Sequence, residues 1–154
     1  MPEGSYIIGS TITVKQGSLT IRGEGDGTRI IINEDVKAFN ISNLSTNRLI
    51  IKDICFEGTG KETALSLGER GLCLNVIIDN CVFKELYNAI LLSKEVDNLT
   101  IENCYFLRVN NGIYCKDISV NKSVVRIRDN HFQMQKKWRS FCIYGDGVFV
   151  RSVK

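Results

Sequence analysis

The chain has 154 residues, with 20 basic and 17 acidic side chains, six cysteines and one proline. That length fits one domain with a sizeable core, and the well-mixed charge gives no reason to expect nucleic acid or a membrane as partner. No apolar run reaches the length that spans a bilayer, and Met1-Pro2-Glu3-Gly4 lacks the basic and apolar regions of a signal peptide.

In chain order, a first short phrase, Leu19-Thr-Ile21-Arg-Gly23, prefigures a repeat. The full phrase then comes four times: Ile51-Lys-Asp53-Ile-Cys-Phe56, Ile78-Asp-Asn80-Cys-Val-Phe83, Ile101-Glu-Asn103-Cys-Tyr-Phe106 and Ile127-Arg-Asp129-Asn-His-Phe132. The steps between these copies are 27, 23 and 26 residues. Each copy has Asp or Asn two residues after the Ile and Phe five after it. The apolar residues before the corner alternate, as in Leu49/Ile51, Val76/Ile78, Leu99/Ile101 and Val125/Ile127, which predicts strands. Alternation resumes after the Asp or Asn, and a third short strand follows each copy: Phe39/Ile41, Leu65/Leu67, Ile90/Leu92, Ile113/Cys115 and Phe141/Ile143.

Three short strands per repeat predict an all-β fold: a right-handed, single-stranded parallel β-helix of about five coils, over a single domain, 1–154. Stacked coils place equivalent residues above one another. Phe56, Phe83, Phe106 and Phe132 are then expected to form an internal column, and Asp53, Asn80, Asn103 and Asp129 a polar ladder along one corner. Cys81 and Cys104 are expected to stack in the core as thiols, because side chains in parallel register point the same way. The six cysteines contain no C-x-x-C pair, so neither a metal site nor a disulfide framework is expected, and the thiols suit folding in a reducing compartment.

The opening segment adds a likeness. Pro2-x-Gly4-x-Tyr6, then Thr20-Ile21-x-Gly23-x-Gly25 and Thr28-x-Ile30, resembles the lead-in of the pectate-lyase-like superfamily of right-handed β-helices, which includes phage tailspikes and capsule depolymerases. The resemblance covers nearly the whole chain and is specific for fold. It implies a carbohydrate-binding or structural module of a tailspike-like protein recognising a bacterial surface polysaccharide. A homotrimer is the assembly it brings in, and a virion-associated or extracellular setting goes with it. The alternative is a polysaccharide lyase or glycoside hydrolase. Members usually carry a helical cap and a strand before this element, so the chain reads as a piece of a longer protein, or else a partner is expected to cover its ends.

Enzymes of that superfamily act on a polysaccharide lying in an outer groove, whose floor is expected to be the third strand of each coil. The outward residues there are expected to be Ala38, Asn40 and Ser42, then Ala64, Ser66 and Gly68, then Ala89, Leu91 and Ser93, then Gly112, Tyr114 and Lys116, then Ser140, Cys142 and Tyr144, with no carboxylate among them. A calcium-dependent lyase or a hydrolase would need carboxylates on that floor. The catalytic candidates are therefore the wall-loop residues Glu85, Glu95 and Asp117, whose plainer reading is solvated turns. No metal or other cofactor is expected. The stretch 133–141 holds the only Trp beside several cations, so Tyr114, Lys116, Trp138, Arg139 and Tyr144 are the expected sugar-binding residues. His131, the only His, is expected to point outward from the second strand.

Overall fold

The computed structural model describes residues 1–15, 17–42, 48–69, 71–93, 96–115 and 124–133. Strands β1 (Gly4–Ile8) and β2 (Ile12–Val14) open a stack. β3 (Leu19–Ile32) and β4 (Lys37–Ile41) form the next layer, followed by β5 (Leu49–Glu57) and β6 (Thr63–Leu67). Then come β7 (Cys73–Asp79), β8 (Val82–Lys84) and β9 (Asn88–Leu92), and above them β10 (Val96–Glu102), β11 (Tyr105–Leu107) and β12 (Asn111–Cys115). β13 (Val125–Arg128) and β14 (His131–Gln133) start a further layer.

Every pairing is parallel and joins one layer to the next. The chain is thus a parallel β-helix of about four turns, against the five coils expected; Phe141 and Ile143 lie outside the described residues. Each coil has three faces. The first carries residues 19–22, 49–52, 73–79, 96–102 and 125–128. The second carries 4–8, 28–32, 54–57, 82–84, 105–107 and 131–133. The third carries β2, β4, β6, β9 and β12. β3 and β5 run unbroken round the first corner, which merges the first two faces into one nine-stranded sheet beside the five-stranded third face.

The repeat phrase sets the register. Ile21 opposes Ile51, which opposes Ile78, then Ile101 and Ile127. Phe56, Phe83, Phe106 and Phe132 form the expected column, with successive rings stacked at 5.3, 5.1 and 4.5 Å and within 14° of parallel. Phe39 closes the lower end edge-on against Phe56 at 6.2 Å. These separations bracket the spacing of neighbouring strands, about 4.8 Å, so each ring rests on the one below without tilting the coil.

The corner residues are chosen by backbone as much as by side chain. Asp53, Asn80, Asn103 and Asp129 have φ of 57°, 48°, 54° and 54°, the left-handed region that Asn and Asp tolerate best among residues with a Cβ. Asn80 Nδ2 donates to Asp53 Oδ1 at 2.8 Å, as the ladder requires. Asn103 leaves the column and donates to Asp79 Oδ1 at 2.9 Å instead. A second ladder had no counterpart in the sequence reading: Asn111 Nδ2 donates to Asn88 Oδ1 at 2.9 Å, and Asn88 Nδ2 to Thr63 Oγ1 at 3.1 Å.

The lead-in has its own steric logic. A Cβ on Gly23 would sit 2.3 Å from the carbonyl oxygen of Asp53, so that position excludes any side chain. Thr28, fully buried, accepts from the Glu24 N–H at 2.9 Å and its hydroxyl faces the Met1 and Pro2 carbonyls at 3.2 and 3.1 Å. This pins the N-terminus across the corner.

Cys55, Cys73, Cys81 and Cys104 are free thiols and buried, and Cys115 is buried as well. Burial raises the Cys73 pKa to about 12 and that of Cys55 to about 11. Burial, with Cys104 alongside, also pushes Cys81 well above its usual value. The Cys81 and Cys104 thiols stack in the core as expected, each facing backbone carbonyls.

Candidate functional site

The third face departs from the open groove floor expected of it. Strict alternation would turn Ala38, Ala64, Ala89 and Gly112 outward, but all four positions face the core. Ala38, Ala64 and Ala89 belong to the buried cluster, and a Cβ on Gly112 would lie 2.9 Å from Phe132 Cε1 and 3.6 Å from Phe106 Cδ1. The physical reason is a bend. The ladder skips this position in all three pairings, between Lys37 and Phe39, Thr63 and Leu65, and Asn88 and Ile90, so two successive residues face inward. Small residues are needed because the Phe column fills the space opposite.

The outward column of this face is Thr13, Asn40, Ser66, Leu91 and Tyr114, in register from coil to coil. Thr13 is exposed and Tyr114 half-buried. Between them Asn40, Ser66 and Leu91 are 8%, 0% and 8% exposed, so the middle of this floor is closed to solvent. Leu91 stands apart from the core cluster although it is buried. None of these five residues is acidic.

The exposed aromatic surface lies on the second face. Its outward column is Arg29, Cys55, Val82, Tyr105 and His131. Tyr105 is half-exposed and its ring meets that of the exposed His131 at 5.7 Å and 43°. His131 thus points outward from the second strand, as expected. Glu57, two residues beyond Cys55, is held between two cations, Arg29 from the column of Cys55 one coil below and its own register partner Lys84 above, the latter at 3.0 Å. The hydrogen bond from Arg29 lowers the Glu57 carboxyl below its ordinary value, against the opposing effect of burial. Alternating charge along the axis lets each coil attract the next, and it keeps like charges apart at strand spacing.

Glu85 sits at the end of β8 with φ of 54°, and Arg108 occupies the same corner one coil on with φ of 52°. Arg108 Nε donates to Glu85 Oε1 at 3.0 Å, and its Nη2 also reaches that oxygen. Glu85 is therefore one half of an inter-coil ion pair at a left-handed corner. Tyr87, two residues further, is half-exposed. Of the sequence-predicted site residues, only Glu85 and Tyr114 are described, and they lie on different parts of the coil, a corner and the third face. Glu95, Asp117, Lys116, Trp138, Arg139 and Tyr144 lie outside the described residues.

Glu62 is an acidic loop residue withdrawn from solvent. It is fully buried, and its carboxylate accepts from the N–H groups of Thr59, Gly60 and Lys61 at 2.6, 3.1 and 3.1 Å and from Thr59 Oγ1 at 2.7 Å. Burial raises its pKa, but the hydrogen bonds from Thr59 and the backbone outweigh burial and hold it below the ordinary value. Gly58 leaves room for it, since a Cβ there would fall 2.3 Å from Glu62 Oε2. The only sequence signal was the glycine pair, Gly58 and Gly60, just before it. Among the described residues no group of three or more His, Cys, Asp or Glu could hold a metal ion.

Compared with known proteins, the chain matches no family model, no curated protein and no solved structure.

Proposed function

We propose that the chain is a carbohydrate-binding β-helix module of the pectate-lyase-like, tailspike-like kind, recognising a bacterial surface polysaccharide. The observation that carries this reading is the exposed Tyr105–His131 ring pair on two successive coils of a rigid strand stack. Flat exposed rings offer stacking surfaces to sugar faces at little conformational cost. Arg108 and Arg128, ion-paired to Glu85 and Glu102 on the same two coils, add cationic hydrogen-bond donors to this part of the surface. A binding role rather than hydrolysis is favoured because the described outward residues of the third face carry no carboxylate for proton transfer.

Affinity electrophoresis through gels containing alginate, polygalacturonate or dextran tests the reading. Tyr105→Ala is expected to weaken retardation about ten-fold with an unchanged melting temperature, the loss of one stacking contact. Trp138→Ala and Tyr114→Ala probe the sequence-predicted cluster in the same gels. Loss of a depolymerase activity in Glu85→Gln, with binding retained, would replace this reading with an enzymatic one. Sedimentation equilibrium tests the trimer that the tailspike likeness implies.

A further inference from the structure

Among the described residues, two polar atoms in the closed part of the third face have no hydrogen-bond partner: Asn40 Oδ1 and Ser66 Oγ. Asn40 lies between Phe39 and Ile41, and Ser66 between Leu65 and Leu67, and those four side chains belong to the core. Both polar side chains therefore face outward. They are register partners on adjacent coils, so their backbones are about 4.8 Å apart. Both residues are more than nine-tenths buried. Buried polar groups are almost always satisfied, and a pair left open side by side calls for a reason.

An ion pair spans the same stretch. Lys37 opposes Thr63 in the ladder, and Glu69 lies six residues beyond Thr63, yet Lys37 Nζ and Glu69 Oε1 are joined. Six extended residues would carry Glu69 about 20 Å along the strand, too far for the two side chains to meet. The chain must turn off the strand. Gly68 supplies the turn, with φ of 75° and its N–H bonded to the Ile41 carbonyl at 2.9 Å. The inner side is filled by Phe39, Ile41, Leu65 and Leu67, so the ion pair lies on the outer side of the strands, the side that Asn40 and Ser66 face.

We propose that the Lys37–Glu69 ion pair is a latch over a small polar subsite, formed by Asn40 Oδ1 and Ser66 Oγ, that takes the vicinal hydroxyls of a sugar. Asn40 Oδ1 can only accept, whereas a serine hydroxyl both donates and accepts. Two hydroxyls on neighbouring carbons match that pair, one donating to Oδ1 and the other exchanging a bond with Oγ. The latch is easily opened, because a partly exposed ion pair holds its state only weakly and is screened by salt. The subsite deepens the carbohydrate-binding reading and rests on it.

The test pairs melting curves with affinity electrophoresis in alginate, polygalacturonate and dextran, using Ser66→Ala and Lys37→Met. Ser66→Ala is expected to melt at or above the wild-type temperature, since it removes a group with no partner, and to bind about ten-fold more weakly. Lys37→Met is expected to bind about three-fold more tightly at low salt, a gain that disappears at high salt. Ser66→Ala melting at lower temperature would show that the hydroxyl is already satisfied and would overturn the subsite. So would unchanged binding by both variants while Tyr105→Ala still weakens it, which leaves the carbohydrate reading standing. Wild-type protein that binds none of the three polymers overturns both.

Discussion

Phe83→Ala probes the element on which the coil stack depends most. Phe83 is fully buried, and its ring lies 5.3 Å from that of Phe56 and 5.1 Å from that of Phe106, stacked on both. Truncation removes the ring from the middle of the column. The neighbouring rings cannot close the gap, because each is held at strand spacing by its own ladder. If roughly 80 Å³ stays empty, the cavity contributes about 2 kcal/mol at ~24 cal/mol per Å³. Returning the lost apolar surface to water adds about 2 kcal/mol. The expected loss is therefore about 4 kcal/mol, read as a fall in the urea midpoint at unchanged slope. Tyr105→Ala, on the exposed face, is the control and should cost less than about 1 kcal/mol. A loss under about 1 kcal/mol for Phe83→Ala would mean that the coils relax together over the gap, and the rigid-column argument would fail.

Three further outcomes follow from local geometry. Gly23→Ala should destabilise by more than about 2 kcal/mol, because the new Cβ meets the Asp53 carbonyl; Gly25→Ala, with φ of 72° but nothing within 4 Å, should cost only about 1 kcal/mol. Glu62→Gln should cost about 2 kcal/mol at neutral pH, since an amide satisfies fewer of the converging donors. The sign of the pH dependence follows from the lowered Glu62 pKa. The unfolded chain takes up this proton first, so the stabilisation is complete above about pH 4.5, the ordinary carboxyl value, and is lost as pH falls through the lower folded value. Urea melts of wild type and Glu62→Gln should accordingly converge on acidification, and a gap that stays constant to pH 2 would contradict the buried-carboxylate account. The buried thiols at 55, 73 and 81, all raised in pKa, should resist a thiol reagent at pH 8 until denaturant is added; rapid labelling of native Cys73 would show that the coil opens locally.

The repeated phrase alone determined the fold. Alternating apolar residues, a corner Asp or Asn and a Phe at constant offset fix which residues share a column, since parallel coils in register leave no freedom to slip without misplacing every side chain. The Ile and Phe columns and the stacked thiols were legible for that reason, and so was the outward His131. The left-handed φ at Asn80 and Asn103 is a backbone property that the same letters concealed behind a side-chain ladder. The bend at Ala38, Ala64, Ala89 and Gly112 was beyond the pattern, because alternation assumes a straight strand, and only the Phe column opposite turns these residues inward. The burial of Glu62 was not legible in the sequence, because its three backbone donors come from a loop whose shape has no periodicity. Likewise, the joining of Lys37 to Glu69, 32 residues away, depends on a turn off the strand at one glycine, Gly68. Periodic contacts repeat in the sequence and can be read there, whereas contacts made once, where a loop folds back on the stack, exist only in three dimensions.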